Sequence, residues 1–297
     1  MPATGSIIKG AQPIEYVEET EFAQEEEDAS YQWVGAVTSY TGSPEVVAQT
    51  ANYLPSANAS NKLEQSKNQK VSEAWGAEMT YHPQDTDFIQ YFTGDVGGLA
   101  DEPTPIQIGE QNEDSGEFRR LVGCVGESFE LSIQEDELAE ITAEFIAADA
   151  TDWSTTDYIG AGSHATEDTS DILTYDDLGN VQLGGVTLSD YIGGLTVSLD
   201  ITLVVVKDPD STRQSHIEAI VPVDREITVS LELTYDDMSM AQDVRDYTAQ
   251  TLSFEFPEGT SWTIEGVQFP EFPYEFGPDD LVGDSLESDR CSNLTYA

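Results

Sequence analysis

The stretch Leu195-Thr-Val-Ser-Leu-Asp-Ile-Thr-Leu-Val-Val205 decides the fold class. Leu195, Val197, Leu199, Ile201, Leu203 and Val205 fall on one side of an extended chain, and Thr196, Ser198, Asp200 and Thr202 on the other. Alternation with a period of two marks a strand buried on one face and wet on the other. The pattern returns over Ile227–Tyr235, where Val229, Leu231 and Leu233 oppose Thr228, Ser230, Glu232 and Thr234. Phe129, Leu131 and Ile133 alternate with Ser128, Glu130 and Ser132. After the acidic turn QEDELAE, Ile141, Ala143 and Phe145 alternate with Thr142 and Glu144. Trp75, Ala77, Met79 and Tyr81 share a face, as do Leu252, Phe254 and Phe256, and Tyr31–Tyr40 has strand composition. A short helix is predicted over Gln84–Thr93. Asp85 or Thr86 caps it, Phe88 and Phe92 share one side, and Gly94 stops it. A second is expected at Met238–Tyr247. The expected fold is mainly β, a sandwich or barrel with one or two short flanking helices and arms at both ends.

Around this domain, residues 31–256, the composition changes. Residues 1–30 read as an acidic arm: from Glu15 to Asp28, eight of fourteen positions are Asp or Glu and none is basic. Charges that dense repel, so the arm is expected to be extended until something docks it, or else to be a solvated tail. Residues 51–73 are polar and rich in Asn, Gln and Ser, and read as a long loop between strands. Residues 148–180 read as an acidic loop insertion. Residues 257–297 carry Pro257, Pro270, Pro273 and Pro278, and are expected to be an extended arm rather than sheet interior.

The charge balance excludes several functions. The 297-residue chain has 58 Asp and Glu against 11 Lys and Arg, a formal net charge of −47. That leaves no basic surface for gripping nucleic-acid phosphates or an anionic membrane. Wholesale disorder is also excluded, because 9% aromatic and 38% hydrophobic residues can build a core. In molar salt the Debye length falls to about 3 Å and self-repulsion is screened, so a lysine-poor, carboxylate-covered chain points to an extreme-salt environment. No apolar segment has the length of a membrane span, and the N-terminus lacks a signal-peptide core, so the chain is expected to stay where it is made.

Motifs for chemistry are sparse. His82, His164 and His216 have no partners at helical spacing, and HExxH, CxxC, GxSxG and P-loop patterns are missing. Gly160-Ala-Gly-Ser-His-Ala165 fits G-x-G-x-x-A, but polar loop precedes it and acidic residues follow, which would repel a pyrophosphate. Cys124 and Cys291 read as two free thiols, a bridge between them being the alternative. No catalytic residue, cofactor or metal ligand set is expected. The outlier is Lys62, Lys67 and Lys70, three of the chain's five lysines within nine residues. They are candidates for docking on a carboxylate-rich surface of another copy.

The order of these features resembles the major tail tube proteins of long-tailed, siphovirus-like double-stranded DNA viruses. Trp33–Pro44 looks like the family's opening strand running into a turn. The Lys-bearing loop, the returning strand at Trp75-Gly76 and the Phe88/Phe92 helix follow. Leu121-Val-Gly-Cys124, with the Phe129–Ile133 and Ile141–Phe145 hairpin ending at Asp149, resembles the family's next region. Gly184-Gly185, the Leu195–Val206 strand, a Pro222–Arg225 turn, the Ile227–Tyr235 strand and the proline-punctuated tail complete the likeness, over roughly residues 31–285. The resemblance implies a β-sandwich that self-assembles into hexameric rings, with inner strands forming a lumen wall. Stacked rings make the tail tube, and the long loop and terminal arms bridge rings, which makes Lys62, Lys67 and Lys70 inter-ring candidates. Implied partners are other copies, a tape measure protein, tail-tip and terminator proteins, and viral DNA that passes without specific binding. The implied place is the virion tail, assembled in the host cytoplasm. Two alternatives stay open: another tail or capsid β-sandwich component, and a halophilic glycan-binding module or hydrolase.

Overall fold

The computed structural model describes residues 14–26, 28–52, 66–93, 104–112, 115–168, 170–188, 192–207, 217–233, 248–257, 259–270 and 284–296; at 44–52 and 66–74 it describes the backbone. The strands are β1 (Glu15–Glu18), β2 (Gln32–Trp33), β3 (Ala36–Asn52), β4 (Ser66–His82), β5 (Ile106–Asn112), β6 (Glu117–Gln134), β7 (Glu140–Ala147) and β8 (Asp149–Ala150). They continue with β9 (Gly179–Leu183), β10 (Val186–Thr187), β11 (Ile192–Lys207), β12 (Ile217–Leu233), β13 (Gln250–Glu255), β14 (Ser261–Val267), β15 (Asp284–Glu287) and β16 (Asn293–Tyr296).

The long alternating segments form one continuous antiparallel layer in the order β15-β12-β11-β6-β7-β4-β3. β6 turns a corner: its first half pairs with β5 and β8, its second with β7 and β11. Gly123, at φ +65°, lies at the corner; a Cβ there would press on Ala148 at 2.8 Å. β5 continues through β1 to β2. A second sheet, β10-β9-β13-β14-β16, covers the inner face of the first. Trp262 of that sheet stacks on Phe254 and reaches Phe129 of β6, with centroids 5.4 and 6.2 Å apart. This is the expected mainly-β sandwich, and the alternating apolar sets of β6, β7, β11 and β12 form its core.

The predicted helix is a single 3-10 turn, Asp87–Ile89, running into α1 (Gln90–Thr93). Asp85 Oδ1 accepts the Asp87 N–H at 3.0 Å, while Thr86 makes no side-chain cap. Phe92 packs on Phe145 (4.9 Å) and Phe129 (5.2 Å), and Gly126 leaves the room for its ring. Emptying that site would cost about 3–5 kcal/mol.

The structure departs from the sequence reading in several places. The acidic arm is not a free tail: Glu15–Glu18 is a strand between β2 and β5, because Ile14, Tyr16 and Val17 are apolar anchors among the carboxylates. The long loop is strand at both ends, β3 reaching Asn52 and β4 starting at Ser66. A ribbon paired only along its backbone shows no apolar period, so it looks like a loop in sequence. For the same reason Gly42-Ser43-Pro44 is mid-strand, and Pro222–Arg225 lies within β12, beside a bulge opposite Thr202 and Leu203. The C-terminal region contains sheet: β14 lies between β13 and β16, with Pro257 and Pro270 falling outside the strands rather than in them. The strand read over Tyr31–Tyr40 breaks at Val34-Gly35, with Gly35 at φ +144°. The described part of residues 148–180 contains β8, a 3-10 turn at Tyr175–Asp177 and the start of β9, the remainder being loop. The second helix, at 238–247, lies outside the described residues.

Candidate functional site

The outward face of the large layer is polar and acidic in register. One cross-strand row runs Glu78, Glu144, Ser128, Asp200, Glu226 across β4, β7, β6, β11 and β12. The neighbouring row is Thr80, Thr142, Glu130, Ser198, Thr228. Ser198 donates to Glu130 at 3.1 Å, and the Thr80 and Thr142 hydroxyls are 3.4 Å apart. In the acidic row Glu78 stands directly opposite Glu144, and Asp200 opposite Glu226. Like charges directly across an antiparallel pair destabilise it by about 0.2–1 kcal/mol. No lysine or arginine joins either row.

Two ribbons project from the same end of this layer. β4 pairs with β7 only over Trp75–Tyr81, so beyond Trp75 β3 and β4 form a two-stranded ribbon that pairs with no third strand among the described residues. β11 pairs with β6 only up to Asp200, so Ile201–Lys207 and its β12 partners project in the same direction. The backbones of Lys67 and Lys70 lie on β4 in the first ribbon, opposite Ala51 and Ala48. Lys62 lies outside the described residues.

The root of the first ribbon is held by Arg119. Its guanidinium lies between the rings of Trp75 and Trp153, 5.0 and 4.6 Å from their centroids. It donates to Glu110 Oε2 from Nε (2.9 Å) and Nη2 (2.5 Å), and to Gly42 O at 3.4 Å, while Tyr40 donates to Glu110 Oε1 at 2.5 Å. Burial raises the Glu110 carboxyl above its usual range, against the pull of Tyr40 and Arg119. A Cβ on Gly42 would lie 2.6 Å from Glu110 Oε1.

The carboxylates of the N-terminal strap, residues 14–26 and 28–30, are equally specific. Glu15, 2% exposed, accepts from Tyr158 Oη (2.5 Å) and the Ala165 amide (2.7 Å), and lies 2.7 Å from His164 Nδ1. Asp157 is 3.0 Å from Nε2 of the same ring. Burial lowers the His164 pKa, but the hydrogen bonds and charges of Glu15 and Asp157 outweigh it and hold it above the usual value. Asp28 accepts from the Ala161 amide at 2.8 Å, and Ser30 bridges Ser163. A Cβ on Gly162 would meet Ala29 O at 1.8 Å. The G-x-G-x-x-A string is thus the seat of the strap. Glu19 accepts the Gly123 amide (2.6 Å) and the Ala23 amide (2.8 Å), and burial raises its carboxyl to about 7.

His82 Nδ1 lies 2.9 Å from Ala139 O; His216 falls outside the described residues. Cys124 and Cys291 are free and buried, which settles the thiol reading against a bridge. Among the described residues no group of His, Cys, Asp and Glu could hold a metal ion, and no helix is long and apolar enough to cross a membrane. Sequence reasoning found the alternating polar faces but not the acidic row, which depends on inter-strand register. It also missed the contact of Arg119 with Trp75 and Trp153, which lie far apart in the chain.

A search of the curated proteins finds no match. The model of the phage tail tube protein family matches residues 19–287, which covers β2 to β15 and both ribbons. The chain belongs to the phage tail tube protein family, whose members are structural components of the virion tail.

Proposed function

We propose that this chain is the repeating subunit of a siphovirus-like tail tube. Six copies form a ring, rings stack into a hollow tube, and the acidic sheet face lines the bore. The row Glu78, Glu144, Ser128, Asp200, Glu226 carries the assignment of the bore, since four carboxylates across five strands make a wall that repels phosphate. A ring of six carries about −280 formal charges, so DNA slides past it without sticking. The Lys-bearing ribbon reaches the neighbouring ring, with Lys62, Lys67 and Lys70 meeting carboxylates there. A tape measure protein occupies the bore before DNA does, and tip and terminator proteins close the ends. The charge balance suits a halophilic host, and the chain has a structural rather than an enzymatic role.

Electron microscopy of the purified chain in ~3 M KCl tests this reading. Six-fold hollow tubes whose acidic row faces the bore are expected. Tubes with that row on the outside would refute the lumen assignment. Lys67→Glu with Lys70→Glu is expected to leave rings and abolish long tubes, and long tubes from that variant would remove the lysines from the interface.

A further inference from the structure

The second ribbon carries the sharpest anomaly on the described surface. Val204, Val206, Val221 and Val223 are 46, 39, 38 and 59% exposed. Val204 is directly opposite Val221, Val206 is opposite Ala219, and Val223 sits at the bulge beside them. Together they make one apolar face. The opposite face is already used: Ile217 and Ile220 are buried with Val125 and Ala148, over Phe22 of the strap.

Three observations say what covers the valines. Ile201–Val206 and Ala219–Val223 contain no charged residue, in a chain where 58 of 297 are acidic. The patch itself therefore adds no carboxylate to the contact between two copies at −47 each, and the repulsion of the flanking Asp200, Asp224 and Glu226 is left to salt to screen. The backbone edge of β11 from Ile201 onward has no partner strand among the described residues, because β6 pairing ends at Asp200–Ser128. An apolar, uncharged ribbon with an open edge is a template for another strand-rich chain. Finally, the ribbon projects from the same end as the Lys-bearing hairpin, so a copy stacked on that end meets both.

We infer that the Val204/Val206/Val221/Val223 face and the adjoining edge of β11 are a docking surface for a second copy of this chain. The inference rests on the tube-subunit reading and adds an apolar contact to it. Apolar contact strengthens in salting-out media, whereas exposed lysine–carboxylate pairs weaken with salt. A patch of four valines is on the order of a few hundred Å², below the roughly 800 Å² per partner of a stable pairwise interface. Pairwise contact through it is therefore weak and becomes durable when many copies act together.

The test is the full chain carrying Val204→Thr, Val206→Thr, Val221→Thr and Val223→Thr. These substitutions keep side-chain shape and strand preference and remove apolar surface. Val186→Thr, at another exposed valine, is the control. Sedimentation velocity over a concentration series in ~3 M KCl is expected to show an unchanged monomer and a threshold for assembly raised by roughly tenfold. A threshold equal to that of the wild type, with wild-type tubes present, overturns the docking surface and leaves the tube reading standing. Wild-type chain that stays monomeric throughout overturns both. Should the quadruple variant unfold, Val223→Cys decides instead. Maleimide labelling that is fast in monomer and blocked in assembled material supports the inference, and equal labelling in both refutes it.

Discussion

Glu78 and Glu144 face each other across β4 and β7, and their repulsion can be measured directly. Two unit charges about 5 Å apart interact with about 0.8 kcal/mol at a dielectric constant near 80. With a Debye length of about 10 Å at 0.1 M salt, about 0.5 kcal/mol of that survives; at 1 M, where it is about 3 Å, less than about 0.2 kcal/mol does. A double-mutant cycle with Glu78→Gln, Glu144→Gln and both together isolates the pair, since Gln keeps the shape and removes the charge. Urea unfolding at the two salt concentrations is the assay. Either single substitution should stabilise the domain at 0.1 M, the second should add less than the first, and the coupling should shrink by about two-thirds at 1 M. The whole-chain charge also changes by one unit per substitution, and the cycle subtracts that background. A coupling that does not change with salt, or one of attractive sign, would refute the view that the acidic row is a face held against its own repulsion.

Three further outcomes follow from the buried groups. For Glu19, raised from 4.5 to about 7, the folded chain holds the proton more tightly than the unfolded one; its contribution is full below about pH 4.5 and is lost as pH rises through about 7. Glu19→Gln should abolish that part of the decline in urea midpoints between pH 5 and 8, and an unchanged slope would exclude Glu19 as its source. Arg119→Ala strands the buried Glu110 carboxylate and should cost about 3–5 kcal/mol, read as a fall in Tm; a loss under 1 kcal/mol would mean the node is not structural. Thiol titration should find no reactive cysteine in the native chain and two in denaturant, because Cys124 and Cys291 are both buried; rapid native labelling of either would contradict the fold around it.

Legibility in the sequence followed apolar content. β6, β7, β11 and β12 were readable because each places a bulky residue inward at every second position, and that spacing survives without knowledge of the partners. The β3–β4 ribbon was not, since beyond Trp75 it is stabilised by backbone pairing that polar residues satisfy as well as apolar ones. β14 was obscured by flanking prolines that mark strand ends instead of forbidding a strand. For the site, the polar side of each strand was visible, but the acidic row was not. Whether Glu78 meets Glu144 or Thr142 is set by a two-residue choice of register, which keeps every side chain on its own face and so leaves the alternation unchanged. The Arg119 node joins residues 40, 42, 75, 110, 119 and 153, and no local pattern announces a contact across such separations.

The acidic composition therefore divides into two populations with opposite physical behaviour. Glu15, Glu19 and Glu110 are buried and receive donors from Tyr158, Ala165, Gly123, Ala23, Tyr40 and Arg119. Their energies are set by local hydrogen bonds and desolvation, so bulk salt reaches them little. Glu78, Glu144, Asp200 and Glu226 have neighbours of the same sign, and salt acts on them directly. Composition counts both populations alike and assigns the whole excess to environment. The structure separates them: the first pins the strap and the root of the β3–β4 ribbon, and the second makes one face of the sheet negative. A halophilic setting tolerates the second population without requiring its alignment in a single cross-strand row. That alignment is what a bore conducting a polyanion demands, and it ties the sheet register to the proposed work of the tube.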